Sequence, residues 1–154
     1  MTPFQIFRRA QWFAAVVACA AIGACGGYDD GTGPDGDPYA EAAGSYTLVS
    51  LNGRALPATV FQSGNVRIDI TGSTLVMREN RTFTETIDAQ NYVGTAAPVA
   101  ERQVHNGTYV INGTSATFTV PAAGQFPAFS FAGTLSGNVL TYTDENATYR
   151  YERN

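Results

Sequence analysis

One histidine, a few carboxylates and two cysteines are the side chains through which this chain could act on another molecule. His105 is the single histidine among 154 residues. A zinc ion held by one imidazole, in a domain without cysteine, would need carboxylates for its other ligands, an uncommon set. His105 precedes Asn106-Gly107 and reads as a strand-end residue. Acyl transfer would require a hydroxyl and an acid converging on that imidazole. Ser and Asp are present, but no Gly-x-Ser-x-Gly elbow occurs and His105 has no partner at a recognisable spacing. No glycine-rich phosphate loop or dinucleotide fingerprint leads from a strand into a helix. The chain is therefore expected not to be an enzyme and to carry no cofactor and no metal. Glu85 is the polar residue that stands out. Alternation puts it on the same side as Phe83 and Ile87, and a carboxylate inside a fold is costly unless paired or hydrogen-bonded. Two readings stay open: contact with a ligand, or a twist of the strand that brings Glu85 to solvent at a rim.

The cysteines mark a different kind of chemistry. Residues 1–11 contain Arg8 and Arg9 and no acid, and residues 12–22, WFAAVVACAAI, form an apolar run that holds Cys19. A helix spanning a bilayer needs about 20 such residues, so the run suits the core of a secretory signal instead. It ends in Ile22-Gly23-Ala24-Cys25. That sequence resembles the lipobox of bacterial lipoproteins, an aliphatic residue, two small residues and a cysteine. The resemblance implies a diacylglycerol thioether on Cys25, cleavage before it, and a signal peptide over 1–24. Small residues before the cut let the extended chain enter the peptidase. Arg8-Arg9 is ordinary for such a leader, and Phe7, Ala10 and Gln11 fit a twin-arginine signal poorly. Gly26 after the cysteine resembles the signal for outer-membrane sorting rather than inner-membrane retention. The implied location is the bacterial cell envelope, with the membrane as partner through the lipid on Cys25.

Residues 26–38, GGYDDGTGPDGDP, cannot bury enough apolar surface to offset ordering. Residues 25–43 are accordingly expected to be a flexible acidic tether, with a reach on the order of 25 Å by coil scaling. A calcium loop would need oxygen ligands at alternate positions closed by a distal Glu, and Gly31, Thr32, Gly33 and Pro34 interrupt that series. All nine basic residues are Arg, and of thirteen acids five (Asp29, Asp30, Asp35, Asp37 and Glu41) lie in this stretch. From Gly44 onward the chain is close to neutral and has no basic cluster, which argues against a nucleic-acid partner.

From Gly44 to Asn154 the pattern becomes short runs of Val, Ile, Thr, Phe and Tyr between Gly and Asn turns. Strands are predicted near 45–52, 65–71, 73–79, 81–88, 101–111, 115–120, 128–135, 138–144 and 147–153. Val66, Ile68 and Ile70 share a side against Arg67 and Asp69. Phe118 and Val120 oppose Thr117 and Thr119, and Tyr149 and Tyr151 oppose Thr148 and Arg150. Short connections force antiparallel neighbours. The expected fold is all-β, an antiparallel up-and-down meander of eight or nine strands closing into a barrel over 44–154, because closure removes open edges. A two-sheet sandwich is the alternative.

Gly44-Ser45-Tyr46 is similar to the Gly-x-Trp opening of lipocalin and calycin barrels, with Tyr in place of Trp, and GSYTLVSLNGRALPATV resembles the opening of small lipocalin-like domains in bacterial lipoproteins. The META domain also begins with a strand ending in Asn-Gly, but its Gly-Cys-Asn motif is missing here. The lipocalin resemblance implies a basic side chain from the last strand, Arg150, across the first-strand aromatic. It also implies that the long loop 53–64 lies over the open end, with Leu56, Val60 and Phe61 as a lid and Tyr92 of loop 89–98 at the mouth. The alternative is that these residues plug the barrel end as core. Candidate ligand contacts are thus Phe61, Glu85 and Tyr92. Two functions follow. One is a tethered module that binds a small apolar molecule or lipid. The other is a structural or protein-interaction lipoprotein with a filled barrel, its protein partner unknown.

Overall fold

A computed structural model describes residues 36–154 apart from 125, 145 and 146. The expected signal peptide, Cys25 and most of the expected tether lie outside the described residues. One helix, α1 (Pro38–Ala42), precedes nine strands: β1 (Gly44–Leu51), β2 (Ala58–Ser63), β3 (Val66–Met77), β4 (Thr82–Val93), β5 (Val99–Asn112), β6 (Ser115–Val120), β7 (Phe129–Ser136), β8 (Val139–Thr143) and β9 (Thr148–Arg153).

The strands form one antiparallel sheet in the order β1-β9-β8-β7-β6-β5-β4-β3-β2, and β1 also pairs with β3. That second pairing closes an up-and-down barrel of eight strands, with β2 as one strand more. The closure resolves the choice between barrel and sandwich. β1 and β2 share one flank of β3. Gly44–Thr47 lies beside Met77–Thr74, and Ala58–Ser63 lies beside Ile70–Val66. Between them the chain turns at Asn52-Gly53, where both residues take positive φ and Leu51 and Arg54 exchange backbone hydrogen bonds. Asn-Gly is the pair that adopts this geometry at least cost.

Three segments differ from the sequence-based expectation. Half of the loop expected over 53–64 is strand β2, and the loop over 89–98 shrinks to 94–98 because β4 continues to Val93 and β5 starts at Val99. Thr71-Gly72-Ser73 is no turn, since β3 runs through it with a register shift between Ile70 and Gly72. Such a bulge moves Ser73, Leu75 and Met77 onto the inner face after Ile68 and Ile70. The folded unit also starts at Gly36. Within the expected tether, Asp37 caps α1 by accepting from the Tyr39 amide at 3.0 Å, and Pro38 stands in the first turn. Ala42 is buried, its carbonyl accepts from the Tyr46 hydroxyl at 2.8 Å, and the Tyr39 ring lies 5.6 Å from that of Tyr109. Residues 38–43 thus pack on the barrel end made by the starts of β1 and β4 and the ends of β3 and β9.

The inner face is aromatic. Phe83 meets Phe118 edge-on at 5.1 Å, Phe118 stacks on Phe131 at 4.8 Å, and Tyr142 lies 4.7 Å from Phe131 and stacks on Tyr149 at 4.6 Å. Contacts of this kind each add about 0.5–1.5 kcal/mol beyond the area that they bury. Arg153, not Arg150, crosses the first-strand aromatic, with its guanidinium 5.6 Å from the Tyr46 ring. Arg150 points outward and pairs with Glu152. Inward positions on β9 run Tyr149, Tyr151, Arg153, so Arg150 lies on the wrong side of the strand to reach Tyr46.

Candidate functional site

β4 and β5 are longer than the barrel requires. β5 has 14 residues, but only Thr108–Asn112 pairs with β6, whereas the residues from Val99 to Gly107 pair with β4 alone. On the far side of β4, β3 has exchanged β1 for β2 as its neighbour. A four-stranded sheet, β2-β3-β4-β5, therefore runs past the barrel. On its inner face Ile87, Ala89, Glu101, Gln103 and His105 are only half-buried, while Asn91 further along β4 is buried. Phe129 of β7, also half-buried, meets the His105 ring edge-on at 5.3 Å.

At the base of this open face sits Glu85, with 2% of its side chain exposed. The rim reading is thereby overturned: Glu85 is interior and fully partnered. Glu85 and His105 are direct cross-strand partners, and His105 Nδ1 lies 3.1 Å from Glu85 Oε2. The other carboxylate oxygen, Oε1, accepts from the hydroxyls of Tyr142 at 2.8 Å and Tyr151 at 2.9 Å. Tyr151 also lies 2.8 Å from the Ser73 hydroxyl, which donates to the Thr86 carbonyl at 2.9 Å. Burial, followed by the charge of Glu85, pushes both phenols well above their ordinary range. Tyr142 and Tyr151 therefore remain hydroxyl donors to the carboxylate. A buried acid with three such partners avoids the penalty that an unpaired one would carry.

The consequence for His105 is orientation. A carboxylate at Nδ1 fixes ring direction and leaves Nε2 as the reactive edge, as in metal sites and acyl-transfer sites. Nε2 has no hydrogen-bond partner among the described residues, and the side chain is 25% exposed. Acyl transfer would need a hydroxyl at Nε2. The Ser73 hydroxyl instead stands behind the carboxylate, on the far side of Tyr151. Among the described residues no group of three or more His, Cys, Asp and Glu comes together that could hold a metal. What the arrangement can do is present an oriented ring nitrogen to a molecule lying on the β4–β5 face.

The other candidates are placed apart. Phe61 is in β2, half-buried and paired with Ile68 across the sheet, after a register shift at Thr59. It is a strand residue and not a lid. Tyr92 is on the outer face, since its neighbour Asn91 is the buried one. The Arg67 guanidinium covers its ring at 4.0 Å and its hydroxyl donates to Gln90 Oε1 at 2.8 Å. Phe61, Glu85 and Tyr92 therefore do not converge, and Glu85 instead joins His105, Tyr142, Tyr151 and Ser73. The strand-end reading of His105 hid this pair. The signal that could have found it is register: both residues occupy inward positions on adjacent strands.

No family model matches the chain, and no curated protein or solved structure matches it.

Proposed function

We propose that the chain is an envelope lipoprotein, non-enzymatic, tethered through lipid on Cys25 and binding a small amphipathic molecule on the open face of its lipocalin-like barrel. The observation that carries this reading is the contrast between the two ends of the interior. Tyr46, Leu75, Phe83, Phe118 and Tyr151 are at most 1% exposed, whereas Ile87, Ala89, Glu101 and Gln103 stay half-open beside an oriented His105. Concave sites that join apolar walls to a few placed polar groups are where small molecules bind. The tether rests on the Ile22-Gly23-Ala24-Cys25 pattern and the leader before it, and an outer-membrane location rests on Gly26 after the cysteine. The apolar ligand first expected is revised to an amphipathic one because Glu101, Gln103 and His105 share the face with Ile87 and Ala89.

The aromatic stack from Phe118 to Tyr149 favours a second reading, a filled barrel that meets a protein partner. Native mass spectrometry of the chain extracted from bacterial membranes distinguishes the two. The binding reading expects a diacylglycerol adduct on Cys25, absent from Cys25→Ser, together with a non-covalent small-molecule mass. An adduct without that mass favours the filled barrel, and no adduct overturns the tether.

A further inference from the structure

The charges around the open face restrict what can lie there. Inward on β5 stand Glu101, Gln103 and His105, and opposite them on β4 stand Ala89, Ile87 and Glu85 in direct cross-strand register. The face thus has a polar stripe on β5 beside a short apolar stretch on β4, Ile87 and Ala89, which lies between Glu85 and the buried Asn91. Glu101 and Gln103 make no side-chain hydrogen bond or ion pair among the described residues. Both are half-buried, so water meets them from one side only.

Among the described residues no arginine answers Glu101, and Lys is absent from the sequence. Arg102 turns to the outer face and holds Asp88 at 2.7 Å. Arg67 lies outside against Asp69 and the Tyr92 ring. Arg78 donates to the Thr84 hydroxyl at 3.1 Å, Arg81 covers Tyr39, and Arg150 pairs with Glu152. Arg153 is inward, but it is committed to Tyr46 and the Ala43 carbonyl. Arg54 is exposed in the turn after β1. An anionic headgroup on this face would meet Glu101 and the carboxylate behind His105 with no facing cation. In a partly desolvated site that juxtaposition is repulsive.

We infer that the β4–β5 face binds an amine-headed amphiphile, its ammonium group between Glu101 and His105 Nε2 and its apolar chain along Ile87 and Ala89. An ammonium supplies what both groups lack, a donor for the imidazole nitrogen and a countercharge for the carboxylate. Phe129 closes the His105 end with an aromatic edge. The inference rests on the binding reading above but narrows it to a head class, and the two fail differently.

The test is calorimetric titration of the full chain, as purified, with octylamine, octanol and octanoate below their aggregation concentrations. The expected order is octylamine tightest, octanol roughly tenfold weaker, and octanoate without measurable binding, a tenfold step being the scale of one partly screened ion pair. Added salt should weaken octylamine and leave octanol nearly unchanged. Glu101→Gln should bring octylamine down to the octanol value without altering octanol itself. Gln103→Arg should admit octanoate and expel octylamine. Equal binding of all three, tightest binding of octanoate, or an unchanged amine preference in Glu101→Gln overturns the head class while leaving a binding face. Binding of none of the three overturns the binding reading itself.

Discussion

At the scale of single residues, Glu85 shows how a polar group inside a small barrel can be a structural asset and a site at once. Its carboxylate ties β4 to β5 through His105, to β8 through Tyr142 and to β9 through Tyr151. Removing it would leave two buried phenols and an imidazole without their acceptor, so the loss should exceed that of the packing alone. Glu85→Ala is expected to cost about 3–5 kcal/mol, the range found when one side of a buried polar pair is deleted. Glu85→Gln should cost clearly less, since an amide oxygen still accepts from both tyrosines. Urea denaturation of the two variants checks this, and a loss under about 1 kcal/mol in Glu85→Ala would mean that the network adds nothing. Alternation alone was enough to put Glu85 beside Phe83 and Ile87. Its partners were illegible because they lie 20, 57 and 66 residues away, at positions set by strand register and barrel closure. Arg153 escaped for a related reason, because one step along β9 exchanges the inner face for the outer one.

At the scale of elements, the strictly alternating β6 was legible and so was β1 despite its register shift after Leu48, whereas the bulges in β2 and β3 hid those strands' bounds. β6 reads Ser-Ala-Thr-Phe-Thr-Val with every second residue buried, and its bounds match the expectation residue for residue. β2 holds Ala58, Val60 and Phe61, and the shift at Thr59 puts two apolar residues side by side, which erases the period of two. Arg54, Pro57, Gln62 and Ser63 around them carry the composition of a loop. β3 was divided in two because a bulge at Thr71-Gly72 looks like a turn when only the sequence is visible. The place where β5 leaves β6 also has a local cause. A Cβ at Gly107 would stand 2.0 Å from the Thr119 carbonyl oxygen and 2.7 Å from the Phe83 ring. Glycine therefore lets β6 cross close to β5 just before the two part. A backbone carbonyl cannot swing aside as a side-chain tip can. Gly107→Ala is expected to destabilise the fold by about 3 kcal/mol or more, the upper end for overpacking. The reduction should appear in thermal unfolding. A variant with unchanged stability would mean that the close approach is not a native feature. Gly113→Ala is the control for space, since nothing lies within 4 Å of a Cβ there and its only penalty is a positive φ.

At the scale of the whole molecule, the barrel is closed by tyrosines, and this gives it a characteristic response to base. Tyr46 and Tyr109 lie at the end covered by α1, while Tyr142, Tyr149 and Tyr151 form the wall around Glu85. Burial raises all five above the ordinary phenol value of 10, with Tyr109 pushed up to about 12. Glu85 raises Tyr142 and Tyr151 further, Asp144 and then Glu85 raise Tyr149, and Arg153 partly offsets the effect at Tyr46. A phenol with a raised folded value is neutral in the fold over a range where the unfolded chain is already ionised. Over that range the unfolded state binds fewer protons, so stability falls as pH rises. The contribution is complete below pH 10 and is lost upward from there, through about 12 for Tyr109 and beyond for the tyrosines around Glu85. Because the five residues belong to one closed sheet, their ionisation should not proceed group by group. The expected outcome is an abrupt, cooperative loss of β-sheet circular dichroism at alkaline pH, coincident with the near-ultraviolet absorbance of phenolate. Glu85→Gln starts less stable near neutrality and meets the same loss above pH 10, so its midpoint should lie lower than that of the parent chain. Gradual titration of these five tyrosines near pH 10 with the sheet intact would show that their hydroxyls are not held by the interior, and the description of the Glu85 network would fail with it.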